Sequence, residues 1–318
     1  NGGTSMVDTP NAGNIYEGRY DGKIPALDIN HNGFYRSSRT NYWGWTLADN
    51  IEIGKANLLL GLHGHHAETL SYGKSGVKAD ATSPTYGIMY KPTDKLSLYT
   101  SHSESFSAGS VIGKDYANEG SILDPAKTKQ NEIGIKYKMG QLLTSLSAFE
   151  ITKESQKVQY QSGIAKPFLT NNGENEYKGI EFSINGKVSD KWTLMYLNAE
   201  QKKTKTGNLD GIAVNGVAKW NAVLTAEYTP DTKTSVWGRG IYTGTAKINN
   251  EKFTVPSSLV FDLGISHKAK LGTTPITISA TCYNVLNKDY WIPQGGYSNG
   301  NIAIGTPRTF MLSAQFDL

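Results

Sequence analysis

The sequence predicts an all-β protein, a transmembrane antiparallel β-barrel, and three observations carry that expectation. Segments of about ten residues alternate apolar and polar side chains, short turns and long polar connections follow each other in strict alternation, and no apolar run approaches a membrane helix. Successive side chains of a strand point to opposite faces, so each alternating segment asks for oil on one side and water on the other. The longest apolar run, "ANLLLGL" at Ala56–Leu62, falls far short of the ~20 residues a spanning helix needs. A closed barrel satisfies its backbone groups in hydrocarbon without any helix.

Composition agrees. A hydrophobic fraction of 38% is thin for a soluble core in a chain of 318 residues, while 18 Tyr, 34 Gly and an aromatic fraction of 10% argue against disorder. The net charge of +4 has no basic stripe behind it, which excludes a nucleic-acid partner. The single cysteine, Cys282, excludes an internal disulfide and a cysteine metal cluster. It lies in the apolar phase of "ITISATCYN" with Ile276, Ile278 and Ala280, where it reads as a small hydrophobe.

Taken in order, the elements begin with a strand near Tyr42–Ile53 and a first long connection at 71–82. A tight turn at "KPTDK" (91–95) leads to a long connection at 106–127. The strand "EIGIKYK" then sets Ile133, Ile135 and Tyr137 against Glu132, Gly134 and Lys136. After the turn "KMGQ" (138–141), "LLTSLSAFEIT" puts Leu146 and Phe149 in opposite phases, so its lipid side is not legible. A long connection at 153–176 precedes "GIEFSIN", where Ile180, Phe182 and Ile184 oppose Glu181, Ser183 and Asn185. The turn "VSDK" (188–191), the connection 204–216, the turn "TPDTK" (229–233) and the connection 246–253 follow. "LVFDLGIS" sets Leu259, Phe261, Leu263 and Ile265 against Asp262 and Ser266, and "AKLGTT" (269–274) turns the chain again. The last long connection, 286–305, leads to a terminal strand at 305–318 with Phe310, Leu312, Ala314, Phe316 and Leu318 on one face. A soluble sandwich alternates too, but does not produce short and long connections in turn over so many hairpins. The count is about thirteen strands, whereas single-chain bacterial barrels have even numbers, so the chain is expected to be the C-terminal portion of a larger barrel. Residues 1–40 would lie in or just before an extracellular loop.

Five stretches carry a family resemblance: "SPTYGIMYKPTDKLSLYTSHSESFSAG" (83–109), "LDPAKTKQNEIGIKYK" (123–138), "YKGIEFSINGKVSDKWTL" (177–194), and "YNVLNKDYW" with "GTPRTFMLSAQFDL" at the end. Their order and spacing resemble the barrel of a TonB-dependent outer-membrane receptor of the ferric-siderophore branch, over roughly residues 35–318. The resemblance implies a barrel of about 22 strands plugged by an N-terminal globular domain, with plug and energy-coupling box upstream of Asn1. It implies a non-enzymatic importer in the Gram-negative outer membrane. An iron chelate, the ferric siderophore, would be its cargo; it would need no resident cofactor, and its partners would be outer-membrane lipid and the TonB complex, reached through the N-terminal region. Leu318 stands where such barrels usually end in Phe.

Ferric siderophores present flat or apolar rims plus charge, which suit an aromatic mouth. The outer connections offer Phe106, Tyr116, Tyr160, Phe168, Tyr290, Trp291 and Tyr297 as ligand-binding candidates, weighed against loop packing and interfacial girdle roles. "HGHHAE" places His63 and His65 on the lumen phase, where two histidines without a third ligand read as a polar wall. Histidines could serve as axial ligands in a haem receptor, the alternative within the superfamily. That branch normally carries Arg-Ala-Pro where this chain has Ser107, Ala108 and Gly109. "DINHNG" offers Asp28, Asn30, Asn32 and Gly33 in calcium-loop spacing, but the twelfth position is Arg39 instead of Glu. In "SHSES", His102 faces away from Ser101 and Ser103, which argues against nucleophilic chemistry. A barrel without active transport, whether pore, adhesin or hydrolase, is the remaining alternative.

Overall fold

A computed structural model describes residues 38–71, 76–107, 109–123, 125–189, 192–200, 204–205, 211–294 and 301–317. All its regular structure is strand. The order is β1 (Ser38–Ile53), β2 (Ala56–Ser71), β3 (Val77–Thr93), β4 (Leu96–Ser107), β5 (Ala126–Met139), β6 (Leu142–Gln159), β7 (Phe168–Ser189), β8 (Trp192–Glu200) and β9 (Thr204–Lys205). It continues with β10 (Trp220–Tyr228), β11 (Thr234–Thr243), β12 (Ala246–Ile248), β13 (Phe253–Val255), β14 (Ser258–Leu271), β15 (Thr274–Tyr283), β16 (Trp291–Gln294), β17 (Asn301–Ile304) and β18 (Thr309–Phe316).

One sheet holds fourteen of these strands, and with β9 set aside against β7 the remaining thirteen form a single antiparallel meander from β1 to β18. Each strand pairs with its sequence neighbour on that path, as hairpin connections require. The expected number of strands is therefore observed. β1 and β18 end the sheet, and the barrel is not closed among the described residues. The reading of residues 1–40 as a loop region and the remark on Leu318 fall on positions outside those described, 38–40 excepted.

Alternation is visible in the burial of side chains. Along β5 half-buried and exposed residues alternate from Ala126 to Tyr137, with Ile133, Ile135 and Tyr137 on the exposed outer face and Glu132, Gly134 and Lys136 on the inner one. Along β14 Leu259, Phe261, Leu263 and Ile265 are exposed and Ser258, Val260, Asp262 and Gly264 are buried. Directly paired residues share a face, so register carries this identity across the sheet. Leu263 pairs with Cys282 and Cys282 with Phe310, which puts the terminal apolar set and the single thiol on the outer face. The unassigned strand β6 is settled in the same way. Leu146 pairs with Ile135 and Phe182 on the outer face, while Phe149 pairs with Glu132 and Gly179 on the inner one.

The short turns fall where the sequence places them, and glycine makes several possible. Gly54, Gly140 and Gly272 have φ of 59°, 62° and 63°, the left-handed region that other residues avoid. Several long connections are shorter than expected. β6 runs to Gln159 and β7 starts at Phe168, so 160–167 alone connects them where 153–176 was expected. β3 likewise begins at Val77 and not after residue 82. Hydrogen bonding continues up these strands after the apolar face has ended, and polar side chains on both faces hide that in the sequence. The connections 246–253 and 286–305 also contain structure, the small hairpins β12–β13 and β16–β17.

Candidate ligand-binding site

The connections 72–76, 108–125, 160–167, 201–219, 244–257 and 284–308 emerge at one end of the sheet, and the short turns at the other. Among the described residues the structured regions at the long-loop end include the β12–β13 hairpin, bridged to Ala218 through Ala246, and two others that carry aromatic candidates.

The first of these two joins two loops. In the 108–125 connection the amide of Ile112 donates to the Ser121 carbonyl (2.9 Å) and that of Leu123 to the Ser110 carbonyl (3.0 Å), which folds the segment on itself. Ile112, Leu123 and Leu169 bury together, with Tyr116 packed against them. Asn118 ties the loop to β7: its amide nitrogen donates to the Leu169 carbonyl (2.8 Å) and its oxygen accepts from the Leu169 amide (3.1 Å). Lys166 reaches the Lys114 carbonyl at 2.7 Å. Tyr116 is thus half-buried loop core, and Phe168 is the half-buried first residue of β7. Tyr160, by contrast, is 83% exposed.

The second region is built on the end of β15. Asn284 and Asn287 adopt φ of 48° and 50°, which Asn tolerates better than most residues. The Asn284 side chain, buried at 2% exposure, donates to the carbonyls of Lys288 (2.8 Å) and Thr306 (3.0 Å) and accepts from the Lys288 amide (2.9 Å). Asn287 accepts from the Arg308 amide at 3.0 Å. "YNVLNKDYW" therefore works as a clamp between the two ends of the last loop. Tyr290 lies over Gly305, where a β-carbon would come within 2.3 Å of its ring. Trp291, 37% exposed, opens β16 and pairs with Ile304.

Below this loop, on the inner face, Arg239 of β11 pairs with Asp262 of β14. Its Nε and Nη2 both donate to Asp262 Oδ2, at 3.0 and 2.7 Å. The other carboxylate oxygen accepts from the Asn284 amide at 2.8 Å. Strand, strand and loop are thus joined through one buried acid. Trp237 covers Gly264 and lies 5.8 Å from the Arg239 guanidinium. A cavity of about 330 Å³ opens beside Arg239, with Tyr283, Tyr290, Thr243 and Thr309 in its wall. Sequence reading placed Asp262 on the polar face but did not find Arg239 or Asn284; the sequence signal available was the shared phase of Ser235, Trp237, Arg239 and Ile241.

The remaining candidates disperse. Phe106 meets the His65 ring edge-on, centroids 5.0 Å apart, far along the sheet from Tyr290. His63 stacks with His65 at 6.3 Å and its Nδ1 lies 3.0 Å from the Thr46 hydroxyl. Among the described residues no three His, Cys, Asp or Glu side chains are placed to hold a metal. His102 is on the outer face, stacked on Tyr86 at 4.9 Å, away from Ser101 and Ser103. Deeper on the inner face Tyr99 donates to Glu132 at 2.5 Å. Tyr297 and the segment 28–33 lie outside the described residues.

A wide antiparallel meander with an apolar outer face, a polar inner face and structured long loops at one end is part of the wall of an outer-membrane type of β-barrel. The chain belongs to the TonB-dependent receptor-like β-barrel family, whose model matches residues 3–285. Members of that family are outer-membrane transport receptors, not enzymes. The ferrichrome receptor FcuA of Yersinia enterocolitica is 28% identical over 88% of this chain and 39% of its own length. The ferric preacinetobactin receptor BauA of Acinetobacter baumannii is 32% identical, with a TM-score of 0.74 over 88% of this chain and 43% of its own. The siderophore receptor PiuA of the same organism superimposes with a TM-score of 0.69 at 21% identity, over 87% of this chain and 43% of its own. The chain spans about two fifths of the length of these relatives.

Proposed function

We propose that the protein containing this chain imports a ferric siderophore across the Gram-negative outer membrane, driven by the TonB complex. The observation that carries the reading is the continuous family match along the barrel, together with relatives that are ferrichrome and preacinetobactin receptors. Geometry is consistent with it. The inner face is polar, and Tyr160, Tyr290 and Trp291 at the long-loop end would suit a flat-rimmed chelate. The TonB complex would engage the part of the protein upstream of Asn1, and the chelate is cargo.

The test expresses the full-length gene in a Gram-negative host stripped of its own chelate receptors and follows radioiron uptake from a panel of ferric siderophores. Uptake of at least one chelate is expected, and it should vanish in a host lacking the energy transducer. A receptor that is assembled in the outer membrane but carries none of them would end this reading.

A further inference from the structure

Building on the receptor reading, we propose that the cavity beside Arg239 is a station on the inner wall for an anionic, oxygen-rich group of the cargo, a carboxylate or a phenolate. Arg239 spends Nε and Nη2 on one oxygen of Asp262, and Nη1 has no partner among the described residues. The charges of the pair are not equally accessible. The Asp262 side chain is 4% exposed and both of its oxygens are engaged, whereas the Arg239 side chain is 35% exposed. The acid is behind and the cation in front, so an entering group meets positive charge. Arg is the side chain suited to this, since its planar fork offers several donors at once and does not lose its proton.

The rest of the wall fits the same class of ligand. Tyr283 and Tyr290 supply phenolic hydroxyls and ring surface, and Thr243 and Thr309 supply donors that turn to suit an oxygen. A volume of about 330 Å³ is at the lower end for a ligand pocket, enough for one arm of a chelate and not the whole. The position also matters. Asn284 fixes the last loop to Asp262, so Tyr290 descends from the mouth onto the same cavity. A chelate leaving the loops would meet the exposed edge of the Arg239 guanidinium here.

The experiment uses the full-length receptor and three probes: ferric citrate, an anionic ferric tricatecholate and a neutral ferric trihydroxamate. Arg239→Gln is expected to lower the initial uptake rate of an anionic chelate about tenfold and to leave the trihydroxamate rate within about twofold, the effect of one lost charge-assisted hydrogen bond. Arg239→Lys, which keeps the charge, should retain more than half of the wild-type rate. Receptor abundance and heat-modifiable mobility report folding. If the single variant fails to assemble, Arg239→Gln/Asp262→Asn removes the stranded buried carboxylate and is read in its place. Equal change for charged and neutral chelates, no change for either, or a Lys variant as impaired as the Gln one overturns the proposal while leaving the receptor reading intact. A wild type that carries the neutral chelate alone also overturns it. A wild type that carries none of the three, or of any wider panel, removes both.

Discussion

Strands β2 to β7 and strands β10 to β18 obey the same alternation, yet their outer faces differ above the apolar band. In the first wall each outer face changes to ionisable groups toward the long-loop end. His66 lies 2.6 Å from Asp80, Lys78 3.4 Å from Glu68, Lys129 3.9 Å from Glu104, and Lys178 2.9 and 3.0 Å from Glu150 and Glu176. In the second wall Leu259, Phe261, Leu263 and Ile265 run without interruption to the loop, flanked by Cys282 and Phe310. Length accounts for part of the contrast, since β5 and β14 both have 14 residues and differ in composition alone. β6 and β7 have 18 and 22 residues, β10 and β15 only 9 and 10. About ten tilted residues cross the hydrocarbon, so the first wall continues as a collar standing in water or headgroups and the second stops at the interface. The difference teaches that loop length in this barrel is partly strand in disguise, and that the collar combines ladder hydrogen bonds with the small Ile112–Leu123–Leu169 cluster.

The largest effect that could break this comparison is a charge placed eight residues from the short-turn end of a strand on each wall. Leu263→Arg should destabilise the folded barrel by about 2–4 kcal/mol, because its outer position has only lipid to face. Asn131→Arg, in the collar, should change stability by less than about 0.5 kcal/mol. Urea titration of the full-length protein refolded into vesicles checks both, and similar losses would mean that the collar too is immersed in hydrocarbon. Next in size is Asn284→Ala, which strands the Thr306 and Lys288 carbonyls and should cost about 1–3 kcal/mol locally. Faster proteolysis within 286–305, with the 160–167 loop unchanged, is the expected reading. A smaller effect belongs to the collar ion pairs. Lys129 is 54% exposed, and Lys129→Met should shift the urea midpoint by less than about 1 kcal/mol equivalent, further reduced by salt. The smallest effect is at the opposite end of the second wall, in the β10–β11 turn. Asp231 accepts the amides of Lys233 and Thr234, both at 2.7 Å, and these hydrogen bonds hold its carboxyl below the usual 3.8. Its contribution is therefore present above the ordinary value of 3.8 and fades as the pH falls through the depressed value. The protection of the Thr234 amide, its exchange relative to the intrinsic rate at each pH, should fall on acidification, and Asp231→Asn should remove that dependence.

Much of this architecture was legible in the sequence for one physical reason: a wall between oil and water writes its two faces into alternate residues. The strands in register from β1 to β18, the outward set of β14 and the outward terminal ladder all follow from that. Legibility ended where the contrast between the faces ended. Over 153–157 and 170–176 both phases are polar, so a hydrogen-bonded strand and a loop look alike. Phe149 obscured the phase of β6 because a bulky inner residue is accommodated by Gly179 across the ladder, a fact of register and not of local pattern. The Arg239–Asp262 pair joins positions 23 residues apart and also requires register. Of the aromatic candidates, Tyr116 was drawn into loop packing and Tyr290 was placed at the cavity, an assignment that depends on the folding of two distant segments onto one another.

Cys282 gives the outer face a practical consequence. The chain has one thiol, half exposed between Leu263 and Phe310, with its side chain directed away from the channel. A nitroxide or solvatochromic dye attached there would report immersion depth from a defined height on the shorter wall, with no engineered cysteine and no competing label elsewhere along these residues.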